Sequence, residues 1–280
     1  MRLNPFNTGG IDVRGGGGFP GGGGGQLGCG AIVIALIGAL VFGVDPAQML
    51  GSLEGMQGTP TEAGSPQSEE ELCTANAYAT ESCNALLSLN QTWEPLFQQA
   101  GLEFSQPALV FYSGGVRSGC GSATSAAGPF YCPNDQSMYI DTSFYDQLDR
   151  ELGAGGDFAR YYVIAHEYGH HVQTITGVAD QIRSAQSQNP RAANQLQVLM
   201  ELQADCYAGV WAGKNRNAIE PGDFEEGMQA ASAIGDDALT GGRASPESFT
   251  HGTSQQRMQA LRLGMESGDD VQCDRIVQVN

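Results

Sequence analysis

Three of the four histidines in this 280-residue chain lie within one hexapeptide, His166–His171 (HEYGHH). On a helix, His166 and His170 would lie one turn apart on the same side, where both imidazoles can bind one metal ion. Glu167 completes the H-E-x-x-H pattern, in which the carboxylate acts on a zinc-activated water. The hexapeptide therefore predicts two zinc ligands and a general base on one helix.

A catalytic zinc site needs a third protein ligand and one open position. The motif does not extend to a third histidine on its own helix, because residue 176 is a threonine. Some zinc peptidases instead take a glutamate from a following helix, and Glu201, 31 residues after His170, is the best candidate. Asp205, one turn further on, is expected to accept the second N–H of a ligand histidine and fix its tautomer.

The other two histidines have different predicted roles. His171 faces away from the side of the helix that carries His166 and His170, so we expect it to pack or to support the ligands. His251 lies in a glycine-flanked turn before a helix. We expect it to stabilise the oxyanion of peptide hydrolysis, with Tyr207 as the other candidate donor and a capping or surface role as the alternative.

The elements that must position these residues can be read from periodicity. The motif lies in a predicted helix over residues 158–176, with Asp157 as N-cap and Gly177 after its end. Arg257, in the last predicted helix, is expected to hold an acidic partner rather than to touch substrate. Apolar residues at helical spacing predict further helices over residues 69–83, 88–100, 194–212, 223–234 and 253–266.

A small sheet is predicted just before the motif helix. Residues 107–112, 130–132 and 137–141 are strand-like, and the glycine- and serine-rich residues 114–128 are expected to form a loop. Zinc peptidases of the zincin type place a sheet at this position, where an edge strand can pair with an extended substrate. The predicted fold class is α+β, mainly α, with a zincin-like domain over residues 69–280.

The first quarter of the chain has a different composition. Residues 1–26 are glycine-rich and are expected to be disordered. Residues 27–44 form an 18-residue stretch without charge, which predicts an uncleaved transmembrane helix rather than a signal peptide or a core helix, since 26 residues precede it and no A-x-A site follows. Residues 45–68 are predicted to be a flexible stalk.

Charge and cysteine content suggest the compartment. Arg2 and Arg14 before the apolar stretch place residues 1–26 in the cytoplasm by the positive-inside rule. The domain would then lie outside the cytoplasm, held at the inner membrane by a single-pass anchor. The net charge of −18 argues against a nucleic-acid partner.

The six cysteines after the apolar stretch are an even number, which fits disulfide bonds in an exported domain. Free buried thiols are the alternative. Spacing favours the local pairs Cys73–Cys83 and Cys120–Cys132, which leaves Cys206–Cys273 as the third pair.

Several segments together resemble the bacterial family of neutral zinc metallopeptidases. The resemblance covers roughly residues 70–275 and implies a membrane-anchored, zincin-like metallopeptidase. It also implies that His166, His170 and Glu201 bind Zn²⁺ and that Glu167 is catalytic. The segments that carry it are GPFYCPNDQSMYID (128–141), HEYGHHVQ (166–173), ELQADCYAGVW (201–211) and FTHGTSQQR (249–257).

The leading functional prediction is a zinc-dependent endopeptidase acting on protein or peptide substrates. One alternative is a non-catalytic module organised by zinc, such as an envelope scaffold or a chaperone-like subunit. The presence of Glu167 argues against it, because a structural zinc site has no use for a general base. A metal-free helical binding protein at the membrane is a third possibility.

Overall fold

Helices predominate in the computed structural model, which describes residues 1–16 and 67–278. The helices are α1 (Glu69–Cys73), α2 (Ala77–Ala100), α3 (Phe144–Arg150), α4 (Asp157–Ile175), α5 (Val178–Gln188), α6 (Ala193–Lys214), α7 (Asp223–Ala233), α8 (Asp236–Leu239), α9 (Ser254–Ser267) and α10 (Asp270–Asp274). The strands are β1 (Asp12–Gly15), β2 (Ala108–Phe111), β3 (Gly115–Ser118), β4 (Gly121–Thr124), β5 (Phe130–Cys132) and β6 (Ser137–Ile140). The predicted mainly helical α+β class is confirmed.

Four of these strands form one sheet in the order β1-β2-β6-β5. β1, β2 and β6 run parallel, with Val13 opposite Leu109 and Leu109 opposite Met138, and β5 runs antiparallel to β6. β3 and β4 pair with each other in a separate hairpin. Within the described part of the chain, β5 is therefore an edge strand of the sheet, and it comes shortly before α4 in sequence.

Close packing of α4 against α6 brings the two halves of the predicted metal site together. Gly169 makes this approach possible, because a Cβ there would lie 2.9 Å from the backbone of Ala204. A glycine costs about 1 kcal/mol of helix propensity relative to alanine. Asp157 in the first turn of α4 offsets part of that cost through its favourable interaction with the helix dipole.

The far side of α6 is covered by α9 at an equally short distance. A Cβ at Gly264 would overlap the carbonyl of Cys206, so only glycine permits the observed contact. Trp211 and Tyr207 of α6 are buried in the same core, which continues through α2 and α4. The helix that carries Glu201 is thus fixed on several sides.

All three predicted disulfide pairs are present. Cys73–Cys83 joins α1 to α2, and Cys206–Cys273 joins α6 to α10. Cys120–Cys132 joins the turn of the β3–β4 hairpin to strand β5. The confirmed pairing follows from short loop lengths for two of the bonds, while the third needed the elimination of the other four cysteines.

Several predicted boundaries are wrong. The helices predicted over residues 69–83 and 88–100 are instead the short α1 and the continuous α2. The break between them falls at Asn76, whose side chain accepts a hydrogen bond from the Ala79 N–H and starts a new helix. The predicted loop over 114–128 contains the β3–β4 hairpin, and α5 was not predicted.

The prediction of disorder over residues 1–26 is wrong for residues 1–16. Ile11 and Val13 alternate with exposed neighbours and are buried, and β1 pairs with β2. The glycine content of the whole segment hid this two-residue periodicity. Paired strands lie in one compartment, so residues 12–15 are on the same side of any membrane as β2, contrary to the predicted placement.

The remaining N-terminal predictions concern residues that the structure does not describe. The anchor predicted over 27–44 and most of the predicted stalk over 45–68 lie outside the described residues. Among the helices of residues 67–278, none has both the length and the apolar character needed to cross a membrane.

Candidate metal centre

Two helices bring three potential metal ligands to one point. α4 contributes His166 and His170, and α6 contributes Glu201. The Glu201 Oε2 atom lies 3.2 Å from His166 Nε2 and 3.6 Å from His170 Nε2. Zinc bonds of about 2.0–2.1 Å place the donor atoms of a tetrahedral site about 3.3 Å apart, so the two distances from Glu201 Oε2 match those of a zinc site.

His166 is held by a buried hydrogen-bond network centred on Asp205. The His166 Nδ1–H group donates to Asp205 Oδ1 at 2.8 Å, and the Tyr162 hydroxyl donates to the same oxygen at 2.6 Å. Arg257 donates to both oxygens of Asp205 at 2.9 Å. With Nδ1 protonated, the Nε2 lone pair of His166 points to the metal position. Asp205 thus fixes His166, and Arg257 in turn holds Asp205.

His170 has a different partner, which sequence reasoning missed. Its Nδ1–H group donates to Gln173 Oε1 at 2.9 Å. The amide of Gln173 is itself fixed, because its Nε2 donates to the Met200 carbonyl at 2.7 Å and to Gln203 Oε1 at 3.0 Å. Gln173 therefore leaves His170 Nε2 free for the metal. The only indication of this role in the sequence was that Gln173 lies three residues after His170 on the same helix.

Glu201 is oriented by a residue one turn earlier on the same helix. Gln197 donates from Nε2 to Glu201 Oε1 at 2.9 Å, which leaves Oε2 facing the two histidines. Gln197 was also not predicted. Each of the three donor side chains is therefore fixed by one hydrogen-bonding neighbour.

Electrostatics in the triangle favour a bound cation. Burial opposes a charge on His166, but the Asp205 carboxylate and the hydrogen bonds from Asp205 and Glu201 outweigh it and raise the pKa of His166 to about 9. Burial also opposes a charge on Glu201, but His170 and His166 hold its pKa well below the usual range. Positive charge is stabilised at the point where the three donor atoms meet.

Glu167 lines the same cavity as His166, His170 and Glu201. The cavity has a volume of about 370 Å³ and separates α4 from the end of the sheet formed by β5. Glu167 is almost entirely shielded by protein, with 8% of its surface exposed. A carboxylate beside the metal position in a shielded cavity can take up a proton from a water molecule.

His251 also lines this cavity, and Asp236 fixes it there. One oxygen of Asp236 accepts hydrogen bonds from the backbone N–H groups of residues 250, 251 and 252 at 2.7–3.0 Å. Its other oxygen lies 3.2 Å from His251 Nδ1, which leaves Nε2 available to the cavity. Asp236 was not predicted. Tyr207, the other candidate donor, instead donates to Asp274 at 2.8 Å.

His171 lies apart from the metal position, on the opposite side of α4. Its Nε2 is 2.7 Å from the Ser105 carbonyl, and its Nδ1 is 3.0 Å from the Tyr131 hydroxyl. Burial lowers the pKa of His171 to about 4, so the ring is neutral near pH 7. It contacts the cavity wall rather than the ligands.

Several bacterial proteins are similar to this chain. An Escherichia coli relative, "Uncharacterized protein YpfJ", is 43% identical over 277 residues, which cover 96% of this chain and 92% of that protein. "Uncharacterized protein Mb2605" of Mycobacterium bovis and "Uncharacterized protein Rv2575" of Mycobacterium tuberculosis are 37% identical over 257 residues, 84% of each chain. No solved structure matches the chain.

The family model described as "Putative neutral zinc metallopeptidase" matches residues 5–276, which is nearly the whole length. The cofactor that this family implies is zinc, and the donor set of two imidazoles and one carboxylate suits that metal. The chain therefore belongs to this family of zinc metallopeptidases.

Proposed function

We propose that this protein is a zinc-dependent endopeptidase in which His166, His170 and Glu201 bind the metal and Glu167 is the general base. The observation that carries the proposal is the donor triangle, in which Glu201 Oε2 lies 3.2 and 3.6 Å from the two histidine Nε2 atoms, with Glu167 lining the same cavity. Three ligands leave one coordination position open, as catalytic zinc sites require.

The chemistry divides between the metal and the side chains. Bound zinc would polarise the substrate carbonyl and make water more acidic. Glu167 takes a proton from the attacking water and then gives it to the nitrogen of the leaving amine, so the carboxylate is regenerated. With hydrogen on both ring nitrogens, His251 donates from Nδ1 to Asp236, which holds the ring in place, and from Nε2 to the carbonyl oxygen as negative charge develops there.

The substrate that fits this arrangement is an extended peptide. β5 is an edge strand among the described residues, and its residues Phe130 and Tyr131 line the cavity opposite α4. An extended chain can pair with such an edge while its carbonyl reaches the metal position. This arrangement of edge strand and motif helix supports a zincin-like architecture.

The non-catalytic alternative is less well supported. A structural zinc site is closed by four protein ligands. Within residues 1–16 and 67–278, the group around His166 contains only three side chains with donor atoms close enough to share an ion. The buried position of Glu167 in the cavity has no role in a purely structural site.

The domain is proposed to work outside the cytoplasm. Three disulfide bonds support an oxidising compartment. The single-pass anchor over residues 27–44 stays a prediction, and it conflicts with the β1–β2 pairing, because one crossing there would place the two strands on opposite sides of the membrane.

Metal analysis combined with a cleavage assay tests this function. The purified full chain should contain about one zinc ion and should cleave an unstructured protein. A strong chelator should abolish cleavage, and added zinc should restore it. A protein that binds zinc with four protein ligands by X-ray absorption and cleaves no peptide in a library would contradict the proposal and favour a scaffold.

A further inference from the structure

His171 is fully buried yet lies outside the metal network, so its hydrogen bonds require another explanation. It connects the loop before β2, through the Ser105 carbonyl at 2.7 Å, with the Tyr131 hydroxyl at 3.0 Å. The Tyr131 and His171 rings are also in edge-to-face contact, with centroids 5.6 Å apart. His171 therefore fixes one side chain of the cavity-lining strand β5.

The direction of these hydrogen bonds can be deduced. A carbonyl oxygen only accepts, so the Ser105 contact requires that His171 Nε2 carries the proton. In the neutral ring Nδ1 is then an acceptor, and the Tyr131 hydroxyl must donate to it. The hydroxyl has only one hydrogen, so its oxygen can take part in further hydrogen bonds only as an acceptor.

The Tyr131 side chain forms part of the cavity wall. Tyr131 is partly exposed and lines the cavity. The nearby Thr174 hydroxyl uses its hydrogen on the His170 carbonyl at 3.0 Å. Burial raises the pKa of Tyr131 to about 12, so the phenol keeps its proton at neutral pH.

We propose that the Tyr131 hydroxyl oxygen accepts a hydrogen bond from one backbone N–H group of the bound peptide, and that His171 is the positioning residue that sets this polarity. The inference rests on the proposed peptidase function. An extended peptide in the cavity presents backbone N–H groups at regular intervals. Tyr131 would thus help to fix the position of the substrate backbone in the cavity, independently of the substrate side chains.

A combined protein and substrate series tests the proposal. Tyr131→Phe keeps the ring and removes the hydroxyl, and should raise KM roughly three- to tenfold with kcat and zinc content unchanged. A second series uses peptides in which one backbone N–H at a time, away from the cleaved bond, is replaced by an ester oxygen. With the wild-type protein, one of these positions should show the same increase in KM. At that position the ester should cause no further loss in Tyr131→Phe.

Other results would contradict the inference in separate ways. If the increase in KM caused by the ester and the increase caused by Tyr131→Phe multiply at every peptide position, Tyr131 does not contact the substrate backbone. If Tyr131→Phe cleaves like the wild type, the residue has no role in binding, although the peptidase function stands. Absence of cleavage by the zinc-loaded wild type would instead contradict the proposed function itself.

The role of His171 has its own test. His171→Gln retains a donor and an acceptor and should keep most of the wild-type KM, while His171→Leu should resemble Tyr131→Phe. The double variant His171→Leu/Tyr131→Phe should be no worse than either single variant. Multiplying losses in the double variant would show that His171 acts independently of Tyr131. If His171→Leu does not fold, the same cycle is run with His171→Gln, whose wild-type-like KM would then carry the test.

Discussion

At the scale of single residues, the site is defined as much by the neighbours of the ligands as by the ligands. His166 depends on Asp205, His170 on Gln173 and Glu201 on Gln197. Each neighbour selects the nitrogen or oxygen that faces the metal. Loss of one such partner in other metal sites lowers metal affinity by about 10–100-fold.

Gln173→Leu is therefore expected to weaken zinc binding by about 10–100-fold. Without the acceptor at residue 173, the ring hydrogen of His170 can move from Nδ1 to Nε2, the nitrogen that would bind the metal. The measurement is competition of the metal-free protein against a chelator of known affinity. Gln173→Glu keeps an acceptor at the same place and should lose less. Gln181→Leu on the exposed side of α5 is the control, and equal zinc affinity in all variants would contradict the assigned role.

Sequence reasoning reached only part of this network. Spacing of four residues on a helix was enough to place His166 with His170 and Glu201 with Asp205. Gln173 and Asp236 could not be found in this way, because glutamine and aspartate have many roles and their partners here depend on tertiary contacts. His171 was expected to face away from the ligands and to pack or support them, but helical geometry alone did not show what lies on that side of the helix.

At the scale of elements, the decisive contact is that between α4 and α6. Helical periodicity predicted both helices to within about two residues. It could not predict the continuity of α2 or the hairpin of β3 and β4, since short glycine- and serine-rich strands carry almost no pattern. The approach of α4 to α6 rests on Gly169, which lies between the two ligand histidines.

Gly169→Ala tests this contact. The added methyl group meets Ala204, with a nearest approach of 2.9 Å, and should cost about 1–3 kcal/mol of unfolding free energy despite the better helix propensity of alanine. Chemical denaturation of the metal-free protein gives the value. Ser184→Ala on the exposed side of α5 is the control. A stabilised Gly169→Ala variant would show that the helices can separate without cost.

At the scale of the whole molecule, residues 1–16 belong to the same folded unit as the metal site. β1 pairs with β2 across almost a hundred positions of sequence, and Met1 and Ile11 join the main core. The alternation of Ile11 and Val13 is short and lies in a glycine-rich segment, and its partner strand is distant in sequence, which explains why the segment was predicted to be disordered. The β1–β2 pairing also requires residues 12–15 and the domain to lie on the same side of any membrane.

Thiol labelling in intact cells tests this arrangement. Thr8→Cys and Ser187→Cys are both at exposed positions, one in the N-terminal segment and one in α5. A membrane-impermeant reagent should label both variants from the same side, because β1 and β2 share a sheet. Labelling from opposite sides would mean that the chain does not adopt this pairing in the cell.

The most direct test of the central claim is the turnover of Glu167→Gln at matched zinc content. Glutamine has nearly the same shape but cannot accept the proton of the attacking water. With His166, His170 and Glu201 intact, the variant should bind zinc as the wild type does, and kcat should fall about a hundredfold or more. An undiminished rate of peptide cleavage by zinc-loaded Glu167→Gln would contradict the assignment of Glu167 as the general base.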